Sequence, residues 1–249
     1  MTRYRVLGID VGGSGIKGAV VDIRRGILVT PRYRLKTPSP ATPEAVAATV
    51  ARLARHFAWK GVIGCGMPGP IKSGTLMLAA NLHKSWAGTS AAMVFSRAVG
   101  RKVIVVNDAD AAGVAEMHFG AGRGKRGTVI LVTLGTGVGT AVFVNGHLVP
   151  NTEFGQMELR GKRAELRAAA RVRKEKDLSW QQWGERLDEY LRALEFLLWP
   201  DLFILGGGVS RKFTKFRPFL KARARILPAR LRNEAGIIGA AVAAASARR

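Results

Sequence analysis

The first third of the chain alternates apolar runs of strand length with glycine and proline punctuation. Residues 4–9 (YRVLGI) read as a buried strand, and Ile16–Ile23 (IKGAVVDI) as a second, rich in β-branched residues. Gly12, Gly13 and Gly15 lie between them, so the two strands form a hairpin. After a turn at Arg24–Gly26, a third strand is predicted over Ile27–Leu35. TPSPATP is a proline-punctuated loop, and Pro43 opens a helix over Glu44–Phe57. Strands follow at Gly61–Gly66 and Lys102–Val106. A small hairpin, Ile71–Leu78, turns about Ser73 and Gly74, and a helix spans Ala109–Phe119.

The second half repeats the opening theme: Thr128–Leu134, the glycines of GTGVG, then Thr140–Val144. Helices are predicted at 163–175 and 179–198. A buried strand, Leu202–Leu205, ends in Gly206, Gly207 and Gly208. The closing helix, Gly236–Ala247, is built of Gly and Ala and can pack closely on a neighbour. One hairpin echoed by another predicts two lobes on one plan. The expected division is 1–106, completed by 235–249, and 107–234, with no flexible linker between.

Composition narrows the class. Hydrophobic residues make up 47% and charged residues 23% of 249, a globular balance. The one cysteine, Cys65, excludes an intrachain disulfide and a cysteine-rich zinc cluster. No leader pattern opens the chain and no apolar stretch is long enough to span a bilayer, so a cytoplasmic protein without membrane contact is expected. Charge is the outlier: 40 Lys and Arg against 17 Asp and Glu give +23. Such an excess concentrates polyanions; nucleic acid, acidic membrane and polyphosphate all qualify, and a merely basic surface is the alternative.

The glycine motifs bear the chemistry. Gly13-Ser-Gly15-Ile-Lys-Gly18 matches a dinucleotide fingerprint, but that fingerprint needs a helix to start at the glycines, and IKGAVVD is a strand. It is not a Walker A loop either, since Ile16 precedes Lys17. What remains is a phosphate-binding hairpin. Gly12, Gly13 and Ser14 offer backbone amides, Lys17 adds charge, and Asp10 ends a buried strand where a carboxylate needs a partner or a metal. TLGTGVGTA has the same logic, with Thr133, Gly135, Thr136 and Gly137. Gly207 and Gly208 form a third candidate loop. A tight structural turn is the alternative for each.

Asn107-Asp108-Ala-Asp110 opens a helix. A carboxylate there is held as an anion and suits a proton acceptor, with plain N-capping the alternative.

IDVGGSGIKGAVVD, GMPGP, NLHKSW, NDADAAG, LGTGVGTA, NTEFGQME, WPDLFILGGGVSRK and AGIIGAA resemble, in order and spacing, the ROK sugar kinases, and more narrowly their polyphosphate-using branch. The match runs almost end to end. It implies an α/β, two-lobed actin-like or hexokinase-like (ribonuclease H-like) fold with mixed sheets and an interlobe cleft. It implies transfer of a phosphoryl group from polyphosphate, with ATP as a second donor, to the 6-hydroxyl of glucose. Under it, Asp108 is the general base. Asn81, Asn107, Glu153, Gln156, Glu165 and Gly69 surround the sugar, the glycine loops hold phosphate, and Asp10 orients Mg²⁺. A homodimer is also implied. Another hexose or polyol as acceptor, or a non-catalytic sugar- or polyphosphate-binding relative, are the alternatives. The chain departs from the family in two places. It lacks the cysteine zinc cluster that many members carry after the sugar-binding glutamate, as the polyphosphate-using branch does. Gln156 stands where a histidine follows Glu-x-Gly, and it cannot titrate near neutrality.

The charge then finds a use. Arg163, Arg167, Arg171 and Lys174 are expected to share one helical face and, with Arg160, Lys162, Arg173 and Lys176, to form a polyphosphate track. Further basic groups lie at 123–126 and 211–225. Nucleic acid fits less well: no helix-turn-helix is present, and the five tryptophans read as core or interface.

Overall fold

The computed structural model describes residues 4–79 and 82–247. Two compact units emerge, Met1–Ala115 with Glu234–Arg249, and Glu116–Asn233.

The first unit opens on the expected hairpin, β1 (Arg5–Gly12) and β2 (Gly15–Asp22), paired antiparallel from Arg5↔Asp22 to Gly12↔Gly15. The single strand expected over 27–35 is two, β3 (Ile27–Leu28) and β4 (Tyr33–Leu35), interrupted where Pro31 has no amide to donate. Helix α1 (Pro43–His56) starts at Thr42, whose hydroxyl accepts from the Ala45 amide. β5 (Ile63–Met67) then pairs parallel with β1. A small sheet of β6 (Ile71–Lys72), β7 (Thr75–Leu76) and β8 (Thr89–Ser90) follows. Helix α2 (Ala91–Val99) was not expected, although Ser90 caps its start and Gly100 closes it in the left-handed region. β9 (Val103–Asn107) and α3 (Asp108–Phe119) end the stretch. The core joins Leu7, Ile9, Val50, Leu53, Ile63, Phe95 and Trp86, whose indole N–H donates to the Ala41 carbonyl at 2.9 Å.

The second unit repeats the plan. β10 (Thr128–Leu134) and β11 (Val138–Val144) are the second hairpin, extended by β12 (His147–Val149). A short ribbon, β13 (Glu158–Leu159) and β14 (Lys162–Arg163), leads into α4 (Glu165–Ala168) and α5 (Ala170–Glu175). The expected helix 163–175 is therefore broken. Ala169 is extended (φ −58°, ψ 146°), and the buried Trp183 indole N–H donates to the carbonyls of Ala168 and Ala169 at 3.1 and 3.2 Å. Trp183 sits on α6 (Trp180–Leu198), which starts in a capping box of Ser179 and Gln182. β15 (Leu202–Gly206), the short α7 (Phe213–Phe216) and β16 (Arg225–Pro228) complete the unit, with β15 parallel to β10 and β16 parallel to β15.

The main sheets run β3-β2-β1-β5-β9 and β12-β11-β10-β15-β16, the same order twice. They are covered differently. In the second unit α6 stands off the strands on Trp183, Leu187, Tyr190, Leu191 and Leu194. The first unit is closed by the last helix, α8 (Ala235–Ser246), pressed onto β1 and β5. A Cβ at Gly8 would lie 2.0 Å from the Ile237 carbonyl oxygen, and one at Gly64 1.8 Å from that of Ala240, so only glycine permits this approach.

Candidate active site

In the first unit the hairpin exposes Gly13 and Ser14 at its tip. Asp10 faces Lys17 across the strands, and the Lys17 ammonium donates to Asp10 Oδ2 at 3.1 Å. This supplies the partner that a carboxylate ending a buried strand requires. The first turn of α8 lies alongside: a Cβ at Gly236 would come within 3.2 Å of the Asp10 carboxyl carbon. Two residues missed in the sequence brace the turn. Arg34 Nη2 donates to the Ser14 carbonyl at 2.8 Å while its guanidinium covers Gly15, and the buried Thr37 hydroxyl donates to the Gly12 carbonyl. Both come from the chain around β4, some twenty residues downstream. Lys17 pairing with Arg34 is the one legible signal, and only once the strands are registered.

β9 delivers Asn107 and Asp108 to the start of α3. Asn107 is the cap: its Oδ1 accepts from the Asp110 amide at 2.9 Å, and its Nδ2 donates to the Gly69 carbonyl at 3.1 Å. Gly69 has φ +124°, and a Cβ there would meet the Leu78 carbonyl oxygen at 2.5 Å. Asp108 is half-buried and accepts from the Ala109 amide at 2.8 Å. Capping by Asn107 leaves the anionic position at the helix start to Asp108. Cys65 is fully buried beside Asp10. Burial first and the Asp10 charge second push its thiol far above the ordinary range, so it is not a nucleophile. Asn81 lies outside the described residues.

In the second unit, Gly135 and Thr136 form the exposed hairpin tip, and the Gly135 amide donates to the Gly137 carbonyl at 3.0 Å. The Arg171 amide holds the Gly135 carbonyl at 3.0 Å, and Thr133 Oγ1 reaches the Gly139 carbonyl at 3.4 Å. Glu165 lies against this turn, since a Cβ at Gly137 would be 2.6 Å from its Oε2. Arg163 joins two expected sugar ligands, donating to Gln156 Oε1 at 3.0 Å and approaching Glu165 Oε1 at 3.4 Å. Because Arg163 can only donate, the Gln156 oxygen faces it and the Gln156 amide nitrogen points elsewhere. Glu153 precedes the 3₁₀ turn Phe154–Gln156, and its charge, after burial, raises the hydroxyl of Tyr190 on α6. The triple glycine adjoins the same hairpin. Gly207 (φ +80°) would place a Cβ 2.2 Å from the Leu134 carbonyl oxygen, whereas Gly208 has open space. Beyond it lies a cavity of about 430 Å³ lined by Ser210, Phe213, Pro228 and Arg230 among others.

The expected basic face does not form. Arg163 belongs to β14, and Arg167 donates to Glu189, which also receives Arg160. Arg171 lies 3.6 Å from Glu175, and Arg173 stacks on Trp180 at 4.1 Å from the ring centre. Burial pushes the Glu189 carboxyl upward, but Arg160 and Arg167 outweigh it and hold the group below its usual range.

Residues 6–157 match the ROK family model. The chain belongs to the ROK family. It is 49% identical over 243 residues to the polyphosphate glucokinase of Mycobacterium tuberculosis, spanning 97% of this chain and 92% of that one. The inorganic polyphosphate/ATP-glucomannokinase of Arthrobacter sp. strain KM superposes with a TM-score of 0.95 at 44% identity, over 98% of this chain and 99% of that one. A ROK glucokinase from Streptomyces griseus, solved with glucose and AMPPNP, gives 0.84 at 25% identity over 97% and 99%. The α/β class and mixed sheets of this ROK protein agree with the actin-like two-lobed fold of the family. Among the described residues no helix is long and apolar enough to cross a membrane.

Proposed function

We propose that this ROK protein is a polyphosphate-dependent glucokinase. The observation that carries the reading is the chain-long likeness to the M. tuberculosis polyphosphate glucokinase, beside the two glycine hairpins of this chain. In this reading Asp108 accepts the proton of the glucose 6-hydroxyl as that oxygen attacks the terminal phosphorus. The bond from phosphorus to the bridging oxygen breaks, and the donor leaves one phosphate shorter. Amides of the two glycine turns and Lys17 offset charge on the transferring group. Asn107 and Gly69 hold the α3 start in register, and Glu153, Gln156 and Glu165 address the sugar.

Mg²⁺ belongs to the reading. Among the described residues no cluster of three acidic, His or Cys side chains exists. Mg²⁺ commonly takes one or two carboxylates and completes its shell with water and phosphate, and the single carboxylate of Asp10 beside the glycine turn fits that habit. Asp10 would hold the ion, which supplies neutralisation of donor phosphate charge. ATP as a second donor is favoured by the cavity beyond the triple glycine, where Phe213 offers a ring and Arg211, Arg230 and Arg232 offer charge. A cytoplasmic setting and a homodimer are carried forward with the reading.

The test is direct. Purified protein with glucose, Mg²⁺ and either polyphosphate or ATP should yield glucose 6-phosphate. Asp108→Ala should lower kcat by about 10²- to 10⁴-fold. Absence of product from both donors, or an Asp108→Ala enzyme as fast as its parent, defeats the reading.

A further inference from the structure

In the segment after Glu153 the exposed Lys162, Lys174 and Lys176 form no ion pair among the described residues, but a regular row of unpaired cations lies along β4. β4 is an edge strand paired only with β2, through Ile16↔Leu35, Lys17↔Arg34 and Gly18↔Tyr33. Along it exposure alternates: Tyr33 and Leu35 pack on the core, while Arg32, Arg34 and Lys36 face solvent. Among the described residues none of these three cations forms an ion pair. The row begins at the glycine turn, because Lys36 follows Leu35 at the hairpin end and Arg32 lies at the far end. Arg34, in the middle, is already fastened to the turn through the Ser14 carbonyl. It also stands directly opposite Lys17, whose ammonium is paired with Asp10, so two cations share one carboxylate and a net positive charge remains beside the turn. From Arg32 to Lys36 the strand extends about 13 Å, longer than the triphosphate of a nucleotide and open at its outer end.

We propose that the outer row of β4, Arg32, Arg34 and Lys36, is the track along which a linear inorganic polyphosphate lies as its terminal phosphate enters the first glycine turn. This rests on the polyphosphate reading above and adds where the donor runs. A short donor, ATP or tripolyphosphate, reaches the turn without the outer cations. A long chain engages all three and gains capture rate from them, an advantage that salt removes.

The experiment compares kcat/KM for ATP, tripolyphosphate and long-chain polyphosphate at low and moderate salt. The variants are Arg32→Ser with Lys36→Ser, both exposed and outside the packing, and a control, Lys174→Ser with Lys176→Ser. The β4 variant should lose about tenfold with long polyphosphate at low salt, lose most of its salt dependence, and stay within about twofold with the short donors. The control should behave as the parent. Parent-like use of long polyphosphate by the β4 variant, an equal loss with ATP, or a loss confined to the control overturns the track while leaving the glucokinase reading intact. A parent enzyme that draws phosphate from ATP and never from polyphosphate overturns the donor reading and the track together.

Discussion

The two hairpins occupy the same place in sheets of the same strand order, yet they are finished with opposite chemistry. In the first, the cross-strand pair nearest the turn that carries polar side chains is Asp10 with Lys17, an ion pair. The corresponding pair in the second is Thr133 with Gly139, a hydroxyl on a carbonyl. Around them the contrast continues. Arg34 braces the first turn with a guanidinium, whereas the Arg171 backbone amide braces the second. The second unit commits three buried acids to its own frame. Buried Glu116 accepts from the amides of Ala121, Arg230 and Leu231, while Asp188 takes those of Lys221 and Ala222 and Glu195 those of Arg223 and Ala224. A duplicated plan thus carries an ion pair beside the turn of one copy and buried acids in the frame of the other.

The largest test of this asymmetry is a pair of glycines on equivalent strands. Gly64→Ala on β5 drives a Cβ into the backbone of α8 and should cost about 3 kcal/mol or more in a denaturant titration. Gly206→Ala on β15 meets only side-chain carbons at 3.6 Å or beyond, and should stay within about 1 kcal/mol. Equal losses at both sites would mean that the two helices cover their sheets alike.

Next comes the polar pair. Asp10→Asn should lower kcat by about 100-fold with every donor, while Thr133→Ala should cost less than about tenfold. A larger loss at Thr133 than at Asp10 would reverse the assignment of charge to the first turn. Within the second unit, Glu116→Gln turns one acceptor into a donor facing a backbone N–H, for about 2 kcal/mol of stability and no change in the KM for glucose.

The smallest effect is in pH. Burial pushes the Glu195 carboxyl up, but the amides of Ala224 and Arg223 together with the Arg223 charge outweigh it, and the folded value lies below the ordinary one. The stability it contributes is complete above the usual carboxylate range and is lost as pH falls through the folded value. A stability profile between neutrality and pH 3 should therefore be flatter at its acid end for Glu195→Gln than for the parent.

Much of this was legible in the chain. Glycines between two β-branched runs announce a hairpin whatever surrounds them, and the echo at 133–139 declared the second unit. The helix expected through 163–175 is broken because the Trp183 indole claims two carbonyls, at Ala168 and Ala169, a contact that arginine spacing does not encode. Helix α2 is framed by Ser90 and Gly100, but its apolar run is too short to announce a helix in the sequence. Arg34 and Thr37 act on a turn some twenty residues upstream, and only strand register reveals it. Periodicity reports what a residue does to its own segment, whereas the braces of both turns are tertiary.

The helix α8 has a consequence for the order in which the molecule can be made. The segment Glu116–Asn233 is continuous and holds its own core, so it can mature while the ribosome is still adding residues. The first unit cannot. One face of β1 and β5, with Gly8 and Gly64, waits for a cover synthesised after the whole second unit. The earlier unit is therefore completed after the later one, against the usual N-to-C order of folding during synthesis.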